Sequence, residues 1–177
     1  IVSGNSREGI YLKDSSNCYV IGNTVSRDGY YGIYVYNSNN NTIGSNSILN
    51  NPPRGGIYME KGHNNIIYNN TLSDNPKGME FKDSSYNLIY HNSFINNTKH
   101  MEIEDSTNVW DLGYGTTKDF GYGGNYWDNY DGVDECSGKD QNVPGSDGII
   151  DTLYVIDAKN RDRYPLIKPW SPHDIGI

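Results

Sequence analysis

The stretch GIYVYNSNNNTIGSNSILNN, Gly32 to Asn51, decides how this chain folds. Half of it is asparagine and serine, the composition of a linker. The other half places β-branched and aromatic residues at every second or third position, the spacing of short strands. The first four residues recur along the chain: GIYL from Gly9, GIYV from Gly32, GIYM from Gly56, GMEF from Gly78 and a degenerate HMEI from His100. A second marker keeps step, at Asn23, Asn46, Asn70 and Asn92. Both markers advance by 23, 24 and 22 residues, an irregular step that two independent motifs do not share by chance. The chain is therefore a repeat array.

Within each repeat the apolar residues alternate as in strands, with no helical period. Ile10, Ile33, Ile57, Met79 and Met101 share one inward register. Leu12, Val35, Met59, Phe81 and Ile103 share the next. Val20, Ile43, Ile67, Ile89 and Trp110 form a third column, and Val25, Ile48, Leu72 and Phe94 a fourth. So few apolar residues per repeat suffice only if the repeats stack into continuous columns. The expected fold is all-β: a right-handed, single-stranded parallel β-helix of about five rungs of 22–24 residues, with an irregular C-terminal cap. Residues 1–110 are read as the β-helix and 111–177 as the cap, which shields the last open rung. Stacked corners need residues that tolerate positive φ and pair their buried polar groups, which asparagine does. One asparagine ladder is expected along Asn23, Asn46, Asn70 and Asn92. A second aligned column runs through Cys18, Asn41, Asn65, Asn87 and Asn108. Cys18 falls in the first complete rung and Cys136 beyond the last, too far apart for a disulfide along a stack stepping about 4.8 Å per rung.

The bulk numbers exclude some functions. The 177-residue chain carries a net charge of −8 and no Lys/Arg cluster, so it has no nucleic-acid footprint. No apolar run approaches the roughly 20 residues of a membrane span. Ile1 falls in mid-pattern, so the sequence reads as part of a larger chain whose leader, if any, lies upstream.

Three tail segments, GGNYWDNYDG (Gly123–Gly132), GSDGIIDTLYVID (Gly145–Asp157) and RDRYPLIKPW (Arg161–Trp170), sharpen the reading. Together with the repeats they resemble the NosD-like, carbohydrate-binding and sugar-hydrolase group of β-helices, in particular archaeal cell-surface proteins. That resemblance implies an extracellular or cell-surface location and a polysaccharide or glycoconjugate partner. The group includes binding modules, scaffolds and polysaccharide-cleaving enzymes, disaggregatase-type proteins among them, so it implies a substrate class and not a reaction. Two departures stand out: Asn129 occupies a usually acidic place, and Leu153 a usual proline.

The outward columns of the first strand carry Tyr11, Tyr34, Tyr58, Glu80 and Glu102, then Lys13, Tyr36, Glu60, Lys82 and Glu104. Aromatic faces pack on sugar rings, and charged neighbours bind hydroxyl or acidic groups. Tyr11, Tyr34, Tyr36, Tyr58, Glu60 and Glu104 are the expected glycan-binding residues; tyrosine also favours exposed strands for its own sake. Glu80 and Glu102, on neighbouring rungs about 5 Å apart, stand near the separation of a retaining glycosidase pair. They are the catalytic candidates, with Lys82 as a lyase base or as a charge clamp between Glu60 and Glu104. A purely structural spacer is the third alternative.

The segment DGVDECSGKDQNVPGSDGIID, Asp131 to Asp151, sets hard oxygen ligands on a glycine-rich loop, which suits Ca²⁺ in a structural role. Asp131, Asp134, Asp147 and Asp151 are the expected ligands, with Asp128 behind them. Copper is disfavoured, because the three methionines fall at core registers and His63, His91, His100 and His173 in different columns. The sequons at Asn40, Asn69 and Asn96 permit glycosylation in an exported protein.

Overall fold

The computed structural model describes residues 1–115 and 121–171, and every regular element in them is a β-strand. A short β1 (Val2–Ser3) precedes the repeats. The first turn comprises β2 (Ile10–Lys13), β3 (Tyr19–Ile21) and β4 (Thr24–Ser26). The second comprises β5 (Tyr31–Tyr36), β6 (Thr42–Gly44) and β7 (Ser47–Leu49). The third comprises β8 (Gly55–Glu60), β9 (Ile66–Tyr68) and β10 (Thr71–Ser73), and the fourth β11 (Lys77–Lys82), β12 (Leu88–Tyr90) and β13 (Ser93–Ile95). Each strand pairs in parallel with its counterpart one turn away, so three sheets run along a solenoid.

The sequence suggests about five rungs; the structure has four complete turns. The fifth supplies β14 (Lys99–Glu104) and a single bridge, Leu88 to Val109, before the chain leaves the pattern. The observed registers reproduce the expected columns, such as Ile10–Ile33 and Ile57–Met79–Met101 in the first sheet. Val25, Ile33, Val35, Ile43, Ile48, Met59, Ile67, Leu72, Met79, Phe81, Ile89 and Phe94 are fully buried. Burial of each such side chain contributes about 1.5–3 kcal/mol, and the columns make one contiguous core.

The asparagine doublets encode the corners. In Asn40–Asn41, Asn50–Asn51, Asn64–Asn65, Asn69–Asn70 and Asn96–Asn97, the first residue turns the chain at φ 51–57°. The second is buried and joins a ladder. The expected ladder exists, with side-chain amide bonds from Asn23 to Asn46, Asn46 to Asn70 and Asn70 to Asn92. The second column is also joined, from Cys18 N–H to Asn41 and on through Asn65 and Asn87 to Asn108. A third ladder runs from Asp28 through Asn51 and Asn75 to Asn97.

The tail re-enters the solenoid. β15 (Tyr126–Trp127) pairs in parallel with β13 and becomes the last strand of the third sheet. Trp127 stacks on Phe94 with ring centroids 4.3 Å apart and planes 1° apart, extending the core column. Asn125 receives the first ladder, and Asn160 receives the second from Asn108. Two short antiparallel hairpins complete the cap: β16 (Cys136–Ser137) with β17 (Val143–Pro144), and β18 (Tyr154–Val155) with β19 (Arg161–Asp162). Arg163 clamps buried Asp111 through two side-chain hydrogen bonds, which ties the cap to the segment leaving the last turn. Cys18 and Cys136 are both free.

Candidate functional site

The first sheet shows its outer columns along the whole solenoid. Tyr11, Tyr34 and Tyr58 lie in register on consecutive strands, and their rings stack at 4.8 and 4.9 Å. Stacking corrects the expectation that the column offers ring faces. A rung spacing of about 4.8 Å brings like rings into contact, so each covers its neighbour's face. What the column presents is edges and hydroxyls. Tyr34 and Tyr58 both donate to the Glu60 carboxylate, at 2.9 and 3.3 Å. Burial, with Glu60 beside them, pushes both phenols upward, so they remain hydroxyl donors at any physiological pH. Tyr31, which the repeat pattern leaves out, is buried against Tyr58 at 4.7 Å and donates to Glu80. Tyr36 meets Tyr34 edge-on, with Lys61 above its ring.

Glu80 and Glu102 are register partners, as expected of neighbouring rungs. Lys77 stands between them, 2.9 Å from Glu80 and 3.1 Å from Glu102. The Lys77 hydrogen bond holds Glu102 below the usual carboxylate range, the opposite of what a general acid needs. Lys82 is in register with Glu60 on one side and Glu104 on the other, and pairs with Glu104 at 3.2 Å. The arrangement is thus a charge-balanced rail. Its side chains are held by hydrogen bonds and ion pairs.

The acidic tail residues are used locally. Asp134 accepts from Ser146 Oγ and from the backbone N–H of Asp147 and Gly148. Asp147 accepts from Gly138 N–H, Gln141 Nε2 and Ile149 N–H. Asp151 accepts from the N–H groups of Glu135 and Cys136. Asp131 is exposed, and Asp128 lies apart, against His100. Among the described residues, no three His, Cys, Asp or Glu side chains converge as a metal site would require.

A second concave site lies where the cap meets the last turn, and the repeat itself marks it. Gly9, Gly32, Gly56 and Gly78 share a column in which an added Cβ would stand 2.6–3.0 Å from the carbonyl oxygen one turn on. The fifth member is His100, in the degenerate copy HMEI. Among the described residues no further strand stacks on β14, so a side chain is tolerated there. The imidazole is buried, and its Nε2 lies 2.7 Å from Asp128 Oδ1. Asn97 Nδ2, a donor, lies 3.5 Å from Nδ1, so Nδ1 accepts and the proton sits on Nε2, facing Asp128. Burial lowers the His100 pKa, with Asp128 opposing, which keeps the ring neutral near pH 7. Asn96 N–H holds the other Asp128 oxygen. The cleft in front of this pair has a volume of about 450 Å³.

The repeats and the start of the tail match a protein-family model. The model described as "Periplasmic copper-binding protein (NosD)" matches residues 2–132. The chain belongs to the NosD family. No curated protein and no solved structure matches the chain significantly. The copper in the NosD description does not fit the side chains of this member. Met59 and Met79 are fully buried in the core, and Met101 nearly so. His63 accepts from Ser85 N–H, His91 is stacked on Trp170 and bonded to Tyr122 O, and His100 is committed to Asp128. His173 lies outside the described residues. Among the described residues the soft donors are scattered, with Cys18 and Cys136 also apart from the histidines, where a copper site needs them clustered.

Proposed function

We propose that this NosD-family chain is an envelope or extracellular polysaccharide-binding β-helix that holds its ligand along the first sheet and does not cleave it. The periplasmic description of the family supports the compartment. The observation that carries the binding reading is the Tyr11–Tyr34–Tyr58 column with two of its hydroxyls fixed on Glu60. It repeats phenol and carboxylate oxygens, acceptors for sugar hydroxyls, at one-rung intervals over a partly exposed surface. A polymer of hydroxyl-bearing units meets such a rail at many points, each weak, and gains affinity from their number. Tyr11, 48% exposed at the end of the column, keeps one ring face open for a sugar. The Lys77 bridge between Glu80 and Glu102 supports binding over catalysis.

The test is retention of the protein on a panel of neutral and acidic polysaccharides in affinity gels. Tyr34→Ala and Glu60→Ala are expected to lose most of the retention with the β-sheet circular dichroism unchanged. Retention that both variants keep, or no retention on any polymer, would sink the reading. Release of new reducing ends or unsaturated uronates, abolished in Glu80→Gln, would instead establish an enzyme.

A further inference from the structure

The cleft at the cap junction has no part in the rail, yet it is built as a site. Its volume of about 450 Å³ falls within the roughly 300–1,000 Å³ of small-molecule pockets. One wall is the β14 side, with Asn96, Lys99 and His100; the other is the β18 hairpin, with Tyr154, Val155 and Ile156. Asp128 and Asn129 lie between. Asp128 is fixed from behind: His100 Nε2–H holds one oxygen and Asn96 N–H the other. Its side chain is still 27% exposed, so the carboxylate faces the cleft in a set orientation. Asn129 also lines the cleft, and Tyr154 donates to its Oδ1 at 3.3 Å. Val155, 63% exposed, and Ile156 give the hairpin wall an apolar surface.

We propose that this cleft binds one or two units of a neutral, hydroxyl-rich sugar, with Asp128 as the central acceptor and Val155 under the sugar's C–H face. A carboxylate pre-oriented by two donors accepts hydroxyl hydrogens without reorganising, and charge-assisted bonds of this kind are the strong ones. The same carboxylate repels uronates and sulfated sugars. Lys99 does not offset this, because it is paired with Glu102 at 3.3 Å. The proposal extends the polysaccharide reading to a second place; the two surfaces carry different residues and fail independently.

The experiment is isothermal titration of the protein with cellobiose, maltose, lactose, glucosamine and glucuronate. At least one neutral disaccharide binds, and glucuronate does not. Asp128→Asn weakens the neutral sugar at least tenfold. Because that change also frees buried His100, a second variant guards the result: Val155→Trp fills the cleft from an exposed position and abolishes binding with the melting temperature unchanged. Tyr34→Ala, on the rail, leaves this binding intact. No binding of any neutral sugar, equal binding of glucuronate, a preference for glucosamine over the neutral sugars, or full affinity in Val155→Trp would each overturn the proposal.

Discussion

The side-chain amide of Asn125 donates to the Asp162 carboxylate at 3.3 Å, and the first asparagine ladder ends there. The second ends the same way, with Asn160 donating to Asp157. The third passes from Asn97 to His100 and from His100 to Asp128. Each amide in a ladder donates toward the C-terminal turns, so the last one needs an acceptor that donates nothing. A carboxyl oxygen meets this need. The cap thus closes the solenoid electrically as well as sterically.

Asp162 makes that closure pH-dependent. It is completely buried, and burial pushes its carboxyl up to about 7, against the N–H groups of Asn125, Trp127 and Tyr164 that bond it. A carboxyl raised in the folded state favours folding in its protonated form. Its contribution is whole below about pH 4, the ordinary carboxyl range, and is lost as pH rises toward 7. The shift corresponds to about 4 kcal/mol. Chemical denaturation at pH 4.5 and pH 7.5, compared with Asp162→Asn, is expected to show this loss in the wild type and a flatter profile in the variant. Parallel profiles would mean that the three donors hold the carboxyl at its ordinary value.

Asp28 offers a stabilising change. It is fully buried at the head of the third ladder, and its Oδ2 has no hydrogen-bond partner. At the equivalent place in the next three turns, an amide Nδ2 donates to the backbone oxygen of Val25, Ile48 or Leu72. Asp28→Asn restores that donor while keeping the acceptor for Asn5. An orphaned buried polar atom costs about 1–3 kcal/mol, so the variant should gain stability of that order. A lower unfolding midpoint in Asp28→Asn would refute it.

The columns, the sheets and two of the ladders were legible because the repeat spacing places residues turn by turn. The third ladder was equally legible in principle, since Asp28, Asn51, Asn75 and Asn97 keep the step of 23, 24 and 22, but it is hidden in a chain full of asparagine. The pairing of Phe94 with Trp127 was not legible. It spans 33 residues, and the segment between breaks the period. Ring orientation was not legible either: alignment gives the tyrosine column, whereas edge-on display follows from rung spacing and the pull of Glu60. His100 was visible as the one member of the glycine column that is not glycine, and its meaning needed the position of Asp128.

The acidic tail gives a test of the calcium expectation. Asp134, Asp147 and Asp151 each accept two or three protein hydrogen bonds, which already fix the loop. The melting temperature is therefore expected to be the same in EDTA as in millimolar calcium. Asp134→Ala, which strands the N–H groups of Asp147 and Gly148, should cost about 1–3 kcal/mol in either condition. A melting temperature that falls on chelation would put a stabilising ion back in the loop.

The glycine column sets the tolerance of the first sheet. In Gly56→Ala the new Cβ would stand 2.6 Å from the Gly78 carbonyl oxygen and 3.0 Å from Leu72 Cδ2. The oxygen belongs to a paired strand and cannot move without breaking the ladder of β8 and β11. Gly78→Ala meets the His100 carbonyl oxygen at 2.6 Å in the same way. Overpacking of this kind costs about 1–3 kcal/mol or more, and the backbone contact places both variants at the upper end. Each should lower the unfolding midpoint in guanidinium well below that of the wild type. Wild-type stability in either variant would show that the turns can separate locally, and would remove the reason the column is glycine.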